Sequence, residues 1–147
     1  MTERSTVGET RKFFPGLGDL IDLMTVTQLR LARSGANIEA DKQLHKDLKS
    51  DIAIVLQGLD IDWSSLIERV VSISHLNAEI WDLKDRMSLV EDGTPSYADS
   101  LALAHQLNGY RNMIRNELNK LQGGQSPALV RSNTGSDGLE RWIPGID

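Results

Sequence analysis

Seven polar or aromatic side chains of this chain fall where helical periodicity expects core: Asp22, Asn77, Trp81, Asp85, Asn108, Arg111 and Arg115. Asn77, Trp81 and Asp85 recur at steps of four, so they stack along one helix face. Arg111 and Arg115 share that spacing, with Asn108 one turn before Arg111. Asp22 sits at the edge of an apolar stripe, one turn before Thr25. A buried polar group without a partner costs about 1–3 kcal/mol, and a charge costs more. These side chains must therefore meet each other or a ligand. In one arrangement they close on themselves and only set helix register. In the other they line a pocket. Arg111 and Arg115 would grip an anionic group, Trp81 would supply a flat wall, and Asp22, Asn77 and Asn108 would add polar contacts. Asp85 would act as acid or base beside Arg111, these two forming the candidate catalytic pair. Two arginines against one or two acids leave donors over, which favours a small anionic ligand.

The elements that must position this set read as helices. The central one spans 65–90. Ser65 and Glu68 have capping-box spacing, and Leu66, Val70, Ile73, Leu76, Ile80, Leu83, Met87 and Val90 recur at steps of three and four. Gly93 follows as a terminator. At about 1.5 Å per residue the helix would run roughly 39 Å. On the wheel His75, Glu79, Asp82 and Arg86 face outward, with Asp82 and Arg86 spaced for a pair. Lys84 and Asp85 fall with the inward set. A first helix over 19–34 ends at Gly35, and its Arg30 and Arg33 face water. A second runs from near Asn37 to Gly58 on a narrow stripe of Leu44, Leu48, Ile52 and Val55, with His45 at the surface. The fourth starts with Thr94 as N-cap and Pro95 at its first position, and reaches Gln122. Ala104, Leu107, Ile114 and Leu118 mark its inward line, which Arg111 shares. The short links favour antiparallel neighbours.

The sequence thus predicts an all-α, antiparallel bundle of four main helices over 17–122. An N-terminal arm (1–16) precedes it, and a mostly irregular tail (123–147) follows, with a docking segment at 139–144. The length of 147 residues suits one domain with a real core. The net charge of −5 argues against nucleic acid. The absence of cysteine removes disulfide and thiolate chemistry. No apolar run approaches the ~20 residues of a membrane span, and no signal-like apolar core opens the chain, so a soluble, cytoplasmic protein is expected. Gly16-Leu17-Gly18 lacks the context of a phosphate loop, no His pair stands at i,i+4, and no nucleophile elbow occurs. Asp82 and Asp85 point roughly 60° apart, so no metal site or cofactor is predicted. The alternative to a ligand-binding domain or enzyme is a non-catalytic homodimerisation or scaffold module whose polar cluster is structural.

Three blocks of residues resemble a small bacterial and phage family of uncharacterised all-helical domains. Gly18-Asp19-Leu20-Ile21-Asp22 followed by Thr25 is similar to that family's Gly-Glu-Leu-Ile-Asp opening. Asn77, Trp81, Asp82 and Asp85 match its Asn-x-x-x-Trp-Asp-x-Glu-Asp pattern, and Asn108, Arg111, Glu117 and Asn119 match its last helix. The resemblance covers about 18–121 and implies a fold and a site, not a reaction. Lys84 stands where the pattern has Glu, which weakens any carboxylate-pair metal site. Gly109 stands where it has Asp, at a position the wheel turns outward.

Overall fold

A computed structural model describes residues 14–122 of the chain. They form four helices and no strand: α1 (Leu17–Arg33), α2 (Ile38–Leu56), α3 (Trp63–Ser88) and α4 (Pro95–Leu121). The arm up to position 13 and the tail 123–147, with its docking segment, lie outside the described residues.

Local chemistry sets the helix ends. Thr94 caps α4, its hydroxyl accepting from the Tyr97 amide at 3.3 Å, and Pro95 costs nothing at a position whose amide has no intrahelical partner. Gly35 takes φ of 65°, the left-handed conformation that turns the chain directly after the Ser34 C-cap of α1. Gly93 (φ 80°) does not end α3 as expected: that helix closes at Ser88 with Leu89 as C-cap, and Gly93 lies in the turn before Thr94. The start of α3 differs from expectation. Its N-cap is Asp62, three residues before the Ser65 of the expected Ser65–Glu68 capping box. The Asp62 carboxylate accepts from the Ser64 and Ser65 hydroxyls at 2.7 Å each and from their amides at 3.1 and 3.4 Å. These bonds, the hydroxyls foremost, hold its pKa down at about 2. A carboxylate at the positive end of a helix outcompetes a serine cap.

Side-chain ties give the directions. Arg30 donates to Asp41 at 3.1 Å and Gln28 meets His45 at 3.2 Å, so α2 runs antiparallel to α1. Asp22 of α1 meets Asn77 of α3, and further along both helices Arg33 meets Asp82, so these two run parallel. Residue 18 of α1 meets 119 of α4, and 22 meets 111, so α4 is antiparallel to α1. The core is a three-helix unit of α1, α3 and α4. Leu17, Ile73, Leu76, Leu107, Ile114 and Leu118 are fully buried there, with Tyr110 beside them. The second helix lies against α1, and its Ile52, Val55 and Leu56 reach the edge of that core.

Arg30 and Arg33 do not simply face water: they tie α1 to α2 and to α3. Asp82 pairs with Arg33 rather than Arg86, and Arg86 turns back to Glu79 at 3.2 Å. A partner on a packed neighbour wins over the same-helix pair, which is worth only a few tenths of a kcal/mol. Gly109 is buried, not outward, between the buried Leu107 and Tyr110 turns of α4. Among the described residues no helix is long and apolar enough to cross a membrane.

Candidate functional site: a polar seam that opens into a cavity

The seam begins where α1 starts. Gly16, its N-cap, has no side chain to satisfy the first amides, so α4 does it. The Leu17 amide donates to Gln122 Oε1 at 2.8 Å and the Gly18 amide to Asn119 Oδ1 at 2.7 Å. The Gly16 amide donates to the Asp19 carboxylate at 2.9 Å. A Cβ on Gly18 would overlap the Arg115 carbonyl, so only glycine lets α1 come this close to α4.

One turn on, Asp22 is 5% exposed and holds the centre of the seam. Arg111 Nε lies 3.1 Å and 3.2 Å from its two oxygens, Arg115 Nη1 lies 3.3 Å from Oδ2, and Asn77 Nδ2 donates to Oδ1 at 2.9 Å. Arg115 Nε reaches Asp19 at 3.1 Å, and Arg111 Nη1 donates to Asn108 Oδ1 at 3.4 Å. Two acids face two arginines, so this part of the seam is neutral and the expected surplus of arginine charge is absent.

Asn77 is 3% exposed, and its amide has only one workable orientation. The Thr25 hydroxyl donates to the Asp22 carbonyl at 2.8 Å, which leaves its oxygen as an acceptor. Asn77 Nδ2 donates to that oxygen at 2.6 Å as well as to the Asp22 carboxylate. The nitrogen must therefore face α1. Asn77 Oδ1 is turned elsewhere, buried, and has no donor among the described residues.

Asn77 also forms part of the floor of a cavity of about 360 Å³ between α1, α3 and α4. Val26, Leu29 and Ile80 supply apolar wall, and half-buried Trp81 adds its indole. Lys84, Asp85 and Arg111 complete the lining, the first two exposed at the rim. The volume lies within the ~300–1,000 Å³ of small-ligand pockets.

The seven predicted site residues thus divide. Asn77, Trp81, Asp85 and Arg111 share the cavity, with Asp22 directly behind Asn77 and Arg111. Asn108 and Arg115 belong to the bonded part of the seam and do not line the cavity. Lys84 and Asp85 are solvated rather than inward. The carboxylate that Arg111 meets is Asp22, so Asp85 has no buried cation to draw it in and keeps its hydration. Val26 and Leu29 were missed, although they continue the Asp22 face at i+4 and i+7. So was Asp19 as a partner of Arg115, a tie that no local spacing announces. No group of three or more His, Cys, Asp or Glu among the described residues could hold a metal ion.

Comparison with known proteins supplies no relative to set beside this geometry: no family model matches the chain, and no curated protein or solved structure is similar to it.

Proposed function

We propose that this is a small-molecule-binding helical domain whose ligand enters the α1–α3–α4 cavity and carries an anionic group. The apolar body of the ligand lies against Trp81, Val26 and Leu29, and its anionic group lies between Lys84 and Arg111. The observation that carries the reading is the cavity itself, where apolar Val26, Leu29, Ile80 and the Trp81 indole stand beside the cationic Lys84 and Arg111. The residues on which the chain resembles an all-helical family support the same place, since Asp22, Asn77, Trp81 and Arg111 come from three helices and meet here.

Binding, rather than turnover, is the function we assign. Were the ligand also transformed, Asp85 would be the acid or base and Arg111 the group that stabilises developing charge. The register-setting reading applies to the other part of the seam, where Asp22 takes Asn77, Arg111 and Arg115 together.

The test is a thermal-shift screen of the full chain against small organic acids, with and without an amino group. At a concentration near 100 times its Kd, a ligand of the folded state adds about 2.7 kcal/mol. At least one acid should raise the melting temperature, and Lys84→Gln or Arg111→Met should reduce the shift. A panel in which no acid moves the midpoint would sink the proposal.

A further inference from the structure

The charges of the cavity lining specify more than an anion. Resting on the binding site proposed above, we infer that the ligand is a zwitterion: a free α-amino acid with an apolar side chain. A simple carboxylate or phosphate ester offers acceptors alone. It would bring negative charge against Asp85 and leave that carboxylate without a donor. Arg111 attracts an anion only weakly, because its charge is spent on Asp22. The cavity charges left uncommitted are Lys84 and Asp85, neither in an ion pair among the described residues, and they sum to zero. A ligand that is neutral overall but carries both signs matches them.

The remaining lining agrees. An ammonium group supplies donors that the Asp85 carboxylate accepts, while a carboxylate takes donors from Lys84 and Arg111. Val26, Leu29, Ile80 and Trp81 offer no hydrogen-bonding group to a polar side chain apart from the indole N–H, so the side chain they enclose is apolar. An amine without a carboxylate would satisfy Asp85 but leave Lys84 unanswered.

Three tryptophans occur in the chain, at 63, 81 and 142. Trp63→Phe with Trp142→Phe makes Trp81 the sole indole emitter, and titrations of this full-length variant report on the cavity. L-leucine and L-phenylalanine are compared with the carboxylates lacking the amino group, 4-methylpentanoate and 3-phenylpropanoate. The amines lacking the carboxylate, 3-methylbutylamine and 2-phenylethylamine, complete the set. At least one amino acid should give a saturable change, about 10-fold or more tighter than both of its analogues, the factor expected of a lost charged hydrogen bond. Asp85→Asn should bring the amino acid close to the affinity of its carboxylate analogue. A carboxylate that binds as tightly as its amino acid overturns the zwitterion while leaving an anion site in place. An amine that binds as tightly overturns the zwitterion and the anionic group together. No saturable change with any probe up to about 10 mM removes both the inference and the binding site beneath it. Should the double variant fold poorly, melting-temperature shifts of the parent chain with the same six probes rank them equally well.

Discussion

The two ends of one polar seam behave differently, although the same three helices build both. At the glycine end, Gly18 brings α1 onto the α4 backbone, and each polar side chain there meets a partner: Asn119 and Gln122 take the α1 amides, and Asp22 takes two arginines and an asparagine. Eight residues along α1, Val26 begins the wall of a cavity where glycine no longer permits close approach. There Asn77 keeps one buried acceptor over, and Lys84 and Asp85 stand in water. The difference teaches how to read a polar residue in a helical core. Where donors and acceptors close, the residue fixes register. Where charged side chains stand unpaired at the edge of a cavity, as Lys84 and Asp85 do, they are available to a ligand. Arg111 belongs to both ends, bonded to Asp22 behind and bordering the cavity in front.

Removing the charge at the closed end should have the largest effect. Asp22→Asn replaces an oxygen that accepts with an amide that donates, facing Arg111, Arg115 and Asn77, which are themselves donors. Breaking one side of a buried pair costs about 3–5 kcal/mol. The arginines are about a quarter exposed and water can recover part of their solvation, so about 3 kcal/mol is expected from urea unfolding. A loss below about 1 kcal/mol would mean that this end of the seam is not closed. Gly18→Ala should come next. Alanine favours a helix by about 1 kcal/mol over glycine, yet its Cβ would meet a backbone carbonyl that cannot rotate away. Overpacking wins, with a net loss of about 2 kcal/mol. A variant as stable as the parent would show that α1 can shift along α4 without cost, and the contrast between the two ends would lose its cause.

Helix order and several helix ends were legible because they depend on local signals: Thr94-Pro95 opens α4 and Gly35 closes α1, whereas Gly93 lies five residues past the end of α3. The misplaced start of α3 shows the limit of such signals. Ser65 and Glu68 have the right spacing, but Asp62 competes for the same amides with a full charge. Within the site, the inward face of Asn77 and Arg111 was legible from periodicity. The identity of their partners was not. Nothing in the spacing along α3 or α4 says that Arg111 will meet Asp22, 89 positions away, rather than Asp85. That choice depends on how closely α1 approaches α4, which a pair of glycines decides. Lys84 and Asp85 went to the rim for the same reason: a wheel drawn for one helix does not know where its neighbour ends.

The smallest expected effect gives the sharpest comparison, because it repeats the Asp22 substitution at the open end. Asp85 lies on the face that periodicity turns inward, and a closed pair with Arg111 would make Asp85→Asn cost as much as Asp22→Asn. In the structure Asp85 is exposed and Arg111 is held by Asp22, so no cation is stranded when the charge goes. Exposed substitutions away from buried networks stay within about 0.5 kcal/mol, and that is the change expected in urea unfolding. Any loss should appear instead in ligand affinity, since Asp85 borders the cavity. The two Asp→Asn variants, measured side by side, should then differ by about 2.5 kcal/mol or more in stability, with Asp85→Asn near the parent. If Asp85→Asn loses several kcal/mol and affects no ligand, the rim is part of the closed network, and the seam is structural from end to end.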